Sequence, residues 1–313
     1  MLQRMKRLAF AGLSKLLVGL TGHGYDRSPA TNDLHHKLSF RLFKLAPRFG
    51  IASEERIHFA APIPFSLSYD ARDGGVGHKF LMYREYEPNM TRVVNALIKP
   101  GMSIWNIGAN LGYYTVLAAR LSRGGRVTAF EPHPQNASRL RHNVRMNGLS
   151  NATVVEAALA AEGGSLTFYE SESNTGDHRI TAEGDRRGIT VSALDASQAI
   201  EEYGSPQVII MDVQGAEGVI LRSLAPAMTA SHPVLIFEFW PDGLASSGSS
   251  AQEVEDLLHA LEYQVWRIDE YRSMLLRVEP GRIGRGMKAG EETNLLALPK
   301  GYALPAAIAK SWR

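Results

Sequence analysis

A mostly apolar run, Ile104 to Ile107, ends in Gly108-Ala109-Asn110-Leu111-Gly112 and passes at once into a helix-compatible segment, Tyr113 to Leu121. Buried strand, glycine turn and helix in that order are how a parallel α/β sheet offers backbone N–H groups and a helix N-terminus to a nucleotide-like ligand.

The flanking sequence repeats the alternation. Strands are expected at Ser103–Ile107, Arg126–Phe130, Thr153–Ala158, Val208–Val213 and Val234–Phe239, with helices at Tyr113–Leu121, Asn136–Asn147, Ala216–Leu224 and Ala251–Leu261. A helix from Pro88, apolar at Met90, Val93, Val94, Leu97 and Ile98, stops at Pro100-Gly101. Ser250-Ala-Gln-Glu253 reads as a capping box. Late strands at Tyr263–Ile268 and Asn294–Leu298 close the pattern, with Met274–Val278 as an insertion or extra strand. Short apolar strands alternating with helices imply a doubly wound, mainly parallel α/β sheet covered on both faces, over roughly 85–300. Residues 1–84 form an appendage of helices and short strands, including a strand at Phe65–Tyr69 and a turn at 70–75, and 301–313 a tail.

Charge separates these parts. The net charge is only +2, which gives no reason to expect nucleic acid as a partner. Residues 1–50, however, hold nine Lys/Arg against Asp26 and Asp33, leaving 25 basic and 30 acidic residues in the remainder. Leu2, Met5, Ala9, Leu13, Leu16 and Leu20 fall roughly on one face of a helix. Lys15 interrupts the apolar run and no A-x-A cleavage pattern follows, unlike a signal peptide. Short amphipathic helices usually pack against protein, here the main domain or a second subunit; the sharper alternative is a basic helix resting on an anionic membrane. The absence of cysteine excludes disulfides and thiolate metal sites and fits a reducing, cytoplasmic location. His35-His36 are adjacent and do not share a helical face, so a solvated or capping role is expected of them rather than a metal site.

The turn itself is neither G-x-G-x-x-G, since position 110 is Asn, nor a P-loop, which needs Gly-Lys-Ser/Thr. Lacking the middle glycine that lets a pyrophosphate approach, it disfavours NAD and ATP. Phe130-Glu131-Pro132 ends the second strand 25 residues after Asn106, where an acid accepts both ribose hydroxyls. Glu156-Ala157-Ala158 ends the third strand, where an adenine edge would lie, and Asp212 ends the fourth.

Trp105-Asn-Ile-Gly-Ala-Asn-Leu-Gly-Tyr-Tyr-Thr115, Phe130-Glu-Pro132, Asp212-Val-Gln-Gly-Ala-Glu217 and Asn294-Leu-Leu-Ala-Leu-Pro299 together resemble the FkbM-type methyltransferases. The resemblance implies a class I, S-adenosylmethionine-dependent fold with seven strands, the last antiparallel, and methyl transfer mostly to hydroxyl oxygens. It places Gly108 and Asn110 beside the methionine part of the cofactor, Glu131 on the ribose, and Glu156 or Ala157 by the adenine. Tyr86-Glu87 matches a pair that lies over the cofactor. Two positions depart from the pattern: Asn106 and Gln214 stand where the family usually has Asp and Glu. Asn106 accepts one hydrogen bond from the cofactor's ammonium without a full negative charge.

Transfer of a methyl from sulfonium to oxygen needs alignment, exclusion of water and a group to take the hydroxyl proton. Asp212, expected also among the cofactor-binding residues, is the leading candidate base and Glu238 the second, each with a plainer role as a loop-anchoring carboxylate. The polar link Tyr169–Gly188, inserted between strands, suits a lid or substrate reader. Within it His178 is a possible base and Arg179 a grip for an anionic or sugar-like substrate, although a solvated loop is the simpler reading of either. Asp212, Glu238 and His178 together would suit a metal, but no spacing requires one. The function expected is therefore S-adenosylmethionine-dependent O-methylation of a small molecule, sugar or glycolipid. Asn106 and Gln214 motivate the alternative of a non-catalytic or repurposed binding protein on the same fold, and a NAD-linked oxidoreductase comes last.

Overall fold

The computed structural model describes residues 2–21, 29–60, 63–171, 174–182, 184–270 and 274–309. The chain begins with α1 (Leu2–Thr21) and α2 (Pro29–Leu45), then β1 (Glu54–Phe59), β2 (Phe65–Asp70), α3 (Val76–Tyr83) and α4 (Pro88–Leu97). The alternating part follows as β3 (Ser103–Ile107), α5 (Tyr113–Leu121), β4 (Arg126–Phe130), α6 (Pro134–Met146), β5 (Ala152–Val155), β6 (Ala158–Leu159), β7 (Gly164–Tyr169), β8 (Gly188–Leu194) and α7 (Ala196–Tyr203). It continues with β9 (Val208–Met211), α8 (Glu217–Ser231), β10 (Val234–Phe239), α9 (Pro241–Ser246), α10 (Ala251–Ala260), β11 (Tyr263–Asp269), β12 (Met274–Val278), β13 (Thr293–Pro299) and α11 (Ala306–Ala309).

Among the described residues the main sheet has eight strands rather than seven, in the order β12-β11-β13-β10-β9-β3-β4-β5. The extra strand is β12, which folds back on β11 with Asp269 opposite Met274 and becomes the edge. Strands β10, β9, β3, β4 and β5 are parallel, whereas β13 runs antiparallel between β10 and β11. The expected doubly wound α/β architecture is therefore present. From β3 the chain winds outward to β4 and β5, then returns to β9 on the other side of β3. The connections leaving β3 and β9 consequently turn to opposite faces, α5 to one and α8 to the other, which opens a crevice at the switch point.

Alternation along the strands sends side chains to two cores. Ile104, Val127, Ile210, Ile236 and Leu296 pack with α4, α5 and the β1–β2 hairpin on one face. Trp105, Ile107, Phe130, Ile209, Met211 and Phe237 pack with α7, α8 and α10 on the other. The first core runs across residue 84, since Ile57, Phe59, Phe65, Leu67 and Phe80 belong to it. The hairpin's outer edge is met by asparagines instead of a strand. Asn143 on α6 and Asn147 at its C-cap, one turn apart, each exchange two hydrogen bonds with the backbone of Ser68 and Ser66 respectively, at 2.7–3.1 Å. Helical spacing of i, i+4 matches strand spacing of i, i+2 closely enough for both amides to imitate a ladder.

Several local expectations change for tertiary reasons. The third strand stops at Val155, because Ala158–Leu159 leaves to pair with β8 in a separate three-stranded sheet. The fourth strand ends at Met211, although Asp212 N still donates to Ile107 O at 3.0 Å. Helix α8 runs through Pro226 to Ser231, beyond the expected end at Leu224, with Leu221, Leu224 and Met228 buried against the sheet. The capping box at Ser250 is half formed. Ser250 Oγ accepts from Glu253 N, but the Glu253 carboxylate takes Ser249 Oγ instead; the full reciprocal box lies at Asp195–Gln198. His35 is not solvated: it is buried with its ring stacked on Tyr83, and only His36 is exposed.

The N-terminal helix corrects the sequence reading most clearly. It does pack on protein, but through Phe10, Ser14 and Leu17, where Phe10 meets Phe43, Ala46 and Met82 of a small third core. Arg7 secures it by donating to Gly50 O and pairing with Glu55 at 2.9 Å. Leu2, Met5, Leu13 and Leu16, expected to be the packing face, point outward and are exposed. The side chain of Leu20 lies outside the described residues.

Candidate active site

The glycine turn sits at the switch point, and its backbone closes it. Gly108 N and Ala109 N both donate to Phe130 O at 3.0 Å, tying the end of β3 to the end of β4. Gly108 has φ of 76°, and a Cβ there would lie 1.8 Å from the carbonyl oxygen of Asp212. Only glycine lets β3 and β9 come this close. Asn110 holds φ of 47°, a conformation asparagine tolerates better than most residues, and its Oδ1 is buried at the cavity wall without a partner among the described residues.

Glu131 is buried rather than a surface glutamate beside a turn. One carboxylate oxygen accepts from Asn110 N at 2.7 Å and the other from His133 N at 3.0 Å. Each oxygen keeps a further lone pair for a ligand hydroxyl. Burial raises its pKa to about 7 against the pull of those hydrogen bonds, with Asp212 adding to the rise.

Asn106 is buried next to the turn, with Nδ2 donating to Thr115 Oγ1 at 2.8 Å. Its Oδ1 has no hydrogen bond among the described residues. Facing it, β9 and β10 deliver Asp212 and Glu238, and Gln214 Nε2 donates to both, at 2.8 and 3.1 Å. Glutamate at 214 would place a third carboxylate where the other two need a donor. Burial raises Asp212 to about 7, helped by Glu87, and takes Glu238 well above the ordinary carboxylate range. Glu217 brings a carboxylate oxygen within 4.8 Å of Asp212 and Glu238. Its two oxygens, however, accept from Val213 N and Gly215 N and so hold the turn before α8. His178 is not part of this acidic group.

The opposite wall comes from the N-terminal third. Glu87, in a left-handed conformation at the start of α4, accepts from Tyr114 OH at 2.7 Å. Lys79 of α3 approaches Glu87 and lies 5.0 Å from the Tyr86 ring. Residues 174–179 are held rather than loose. Thr175 N donates to Asp73 Oδ2, Asn136 Nδ2 donates to Thr175 O, and Arg179 pairs with Tyr169 in a backbone bridge. Within this segment Arg179 is fastened to Asp177 and stacks on Trp240 at 4.5 Å. His178 Nδ1 accepts from Ser171 N at 2.8 Å, which fixes the proton on Nε2 and makes the imidazole a donor. Burial lowers its pKa to about 4, and Nε2 has no partner among the described residues. A base role for His178 does not fit this arrangement.

Glu87, Asn106, Gly108, Asn110, Glu131, Ala157, His178, Arg179, Asp212 and Glu238 all line one cavity of about 370 Å³. That volume suits a small-molecule ligand. Glu156 is the exception. Its side chain turns outward to Arg141 at 2.6 Å, because the residue after β5 points away from the crevice. Lys79 and Glu292 line the cavity without having been expected. Lys79 belongs to a stretch with no motif, and Glu292 arrives only because β13 inserts next to β10. Acids outnumber cations in the lining, six (Glu87, Glu131, Asp177, Asp212, Glu238, Glu292) to two (Lys79, Arg179), so the cavity suits a ligand with positive charge and ribose hydroxyls better than one with a pyrophosphate.

This crowding carries an expected pH dependence. Burial raises Glu131 from 4.5 to about 7 and Glu217 from 4.5 to about 8. Between those values the folded protein binds more protons than the unfolded chain, so stability falls as pH rises from about 4.5 to about 8. The slope approaches ~1.4 kcal/mol per pH unit for each such group. Calorimetry of the ligand-free protein should give a lower melting temperature at pH 8 than at pH 5.5; an equal or higher value would show that these carboxyls ionise freely.

A family model described as "Methyltransferase FkbM domain" matches residues 106–265, just over half of the chain. No curated protein matches in sequence. Among solved structures, the chain is similar to a precorrin-6y C5,15-methyltransferase from Geobacter metallireducens GS-15, at 16% identity and a TM-score of 0.41, over 69% of this chain and 88% of that one. It is also similar to a methyltransferase FkbM from Methylobacillus flagellatus KT, at 18% identity and 0.40, over 70% and 52%. A third is TYW2 of M. jannaschii in complex with AdoMet, at 12% identity and 0.41, over 79% and 85%. The chain belongs to the FkbM methyltransferase family, and its cofactor is S-adenosylmethionine.

Proposed function

We propose that this protein methylates a hydroxyl oxygen of a small molecule, sugar or glycolipid. The observation that carries the proposal is the Asp212–Gln214–Glu238 bridge in the same cavity as the Gly108 turn and Glu131. Glu131 would hold the ribose hydroxyls, Gly108 and Asn110 would border the methionine portion, Asn106 would accept from the ammonium, and Ala157 would lie against the adenine. Glu87 would close the cofactor from the α4 side. When bound, S-adenosylmethionine supplies an electrophilic methyl group on sulfur.

The protein's own part is to align the acceptor, exclude water and remove a proton. Asp212, with a pKa near 7, is poised to take the hydroxyl proton at neutral pH. Burial, with Glu87 and Glu292 nearby, keeps that pKa high, and Gln214 holds both carboxyls in place. His178 Nε2–H and the Arg179 guanidinium are donors for the oxygens of a polyhydroxylated acceptor. The acidic lining opposes a phosphate backbone, which supports a small acceptor over RNA.

Calorimetry with S-adenosylhomocysteine, followed by a homocysteine-release assay over a panel of hydroxylated acceptors, tests this reading. Binding and acceptor-dependent turnover are expected. Asp212→Asn should lower kcat by about 10²–10⁴-fold while leaving S-adenosylhomocysteine affinity within about threefold. Absence of binding at millimolar ligand would remove the reading. Binding without turnover on any acceptor would favour the repurposed binding protein.

A further inference from the structure

Helix α1 is anchored by one face and presents an apolar surface on the other. Leu2, Met5, Leu8, Leu13 and Leu16 are between 43% and 69% exposed, and only Leu45 and Tyr302 join them as exposed large hydrophobics among the described residues. At ~100° per residue these five positions cover a sector of roughly 140°, opposite Phe10 and Ser14. Arg4 and Lys15 lie along one border of that sector and Lys6 along the other, all exposed. The helix contains no acidic residue. Arg41, Lys44 and Arg48, at the end of α2 and just after it, are exposed as well and extend the positive field.

We propose that this face docks on an anionic lipid bilayer, with α1 lying in the interface, its leucines among the acyl chains and its cations at the headgroups. Charge selects this occupant. A second copy meeting the same face would bring Arg4, Lys6 and Lys15 of both chains into one seam with no acid on either helix to pair them. An anionic surface complements them. The helix rests on the surface because no described helix is long and apolar enough to cross a membrane. Its inner face fixes its orientation. Ser14 and Phe10 pack on Met82 of α3, and the same α3 contributes Val76 and Lys79 to the cavity, so the docked layer is continuous with the cavity wall. The proposal does not depend on which acceptor is methylated.

Co-sedimentation of the full chain with phosphatidylcholine vesicles, with and without phosphatidylserine, tests it. Binding should be at least about tenfold tighter with phosphatidylserine present and should weaken with added salt. Leu8→Glu combined with Leu16→Glu should lower that binding at least about tenfold, leaving melting temperature and S-adenosylhomocysteine affinity unchanged. As a second variant that spares the apolar face, Lys6→Gln with Lys15→Gln should cost roughly fivefold per charge. No preference for phosphatidylserine vesicles, or undiminished binding by the leucine variant, would overturn the proposal. So would a dimer in solution that Leu8→Glu/Leu16→Glu dissociates without any effect on vesicle binding.

Discussion

Replacing Glu131 with alanine is expected to weaken S-adenosylhomocysteine binding by about 100-fold, roughly 3 kcal/mol, in isothermal titration calorimetry. Two losses combine. The proposed ribose contact disappears, and the N–H groups of Asn110 and His133 lose the carboxylate that now accepts from them. A buried donor left unsatisfied costs about 1–3 kcal/mol, so the turn should loosen even without ligand and the melting temperature should fall as well. Glu131→Gln separates the two losses, because the amide keeps one acceptor for the turn while its NH₂ group cannot accept from a ribose hydroxyl. Glu156→Ala is the matched control. That side chain is exposed and paired with Arg141, and exposed pairs contribute little, so affinity should stay within about twofold. Unchanged affinity in Glu131→Ala would remove the ribose assignment.

Gly108→Ala is expected to be the most destabilising single substitution in the turn. The new methyl would meet the Asp212 carbonyl oxygen at 1.8 Å and its carbon at 2.8 Å, both backbone atoms that cannot rotate away. The φ of 76° adds left-handed strain of about 1–2 kcal/mol, and overpacking adds about 1–3 kcal/mol. Because Asp212 N is bonded to Ile107 O, relief requires β3 and β9 to part at the switch point, where the cavity forms. A fall in melting temperature of roughly 4–20 °C follows from about 2–4 °C per kcal/mol for a chain of this size. Gly124→Ala isolates the strain alone. Its φ is 81°, but nothing lies within 4 Å of the added Cβ, so a loss of about 1 kcal/mol is expected. Similar melting temperatures for the two variants would show that the clash relaxes at no cost.

The alternating apolar runs and the turn at Gly108 determined the parallel sheet, and with it the placing of Glu131 and Asp212 at strand ends, because period and chain reversal are local properties. Sequence spacing could not determine which way Glu156 faces, since that depends on where β5 yields to the second sheet. It could not supply Lys79 or Glu292 either, which reach the cavity through packing of α3 and insertion of β13 between β10 and β11. Nor could it show the role of Gln214, whose amide bridges two acids from different strands. Helix α1 marks the division most sharply. Its periodicity announced an amphipathic helix, but a helix carrying Phe10 on one side and five large aliphatic residues on the other has two candidate packing faces. The sequence alone determined the strand–turn–helix unit and the family it serves. The tertiary structure decided which of those faces is buried, because the pocket formed by Phe43, Ala46 and Met82 fits a phenyl ring and exists only once distant segments have met.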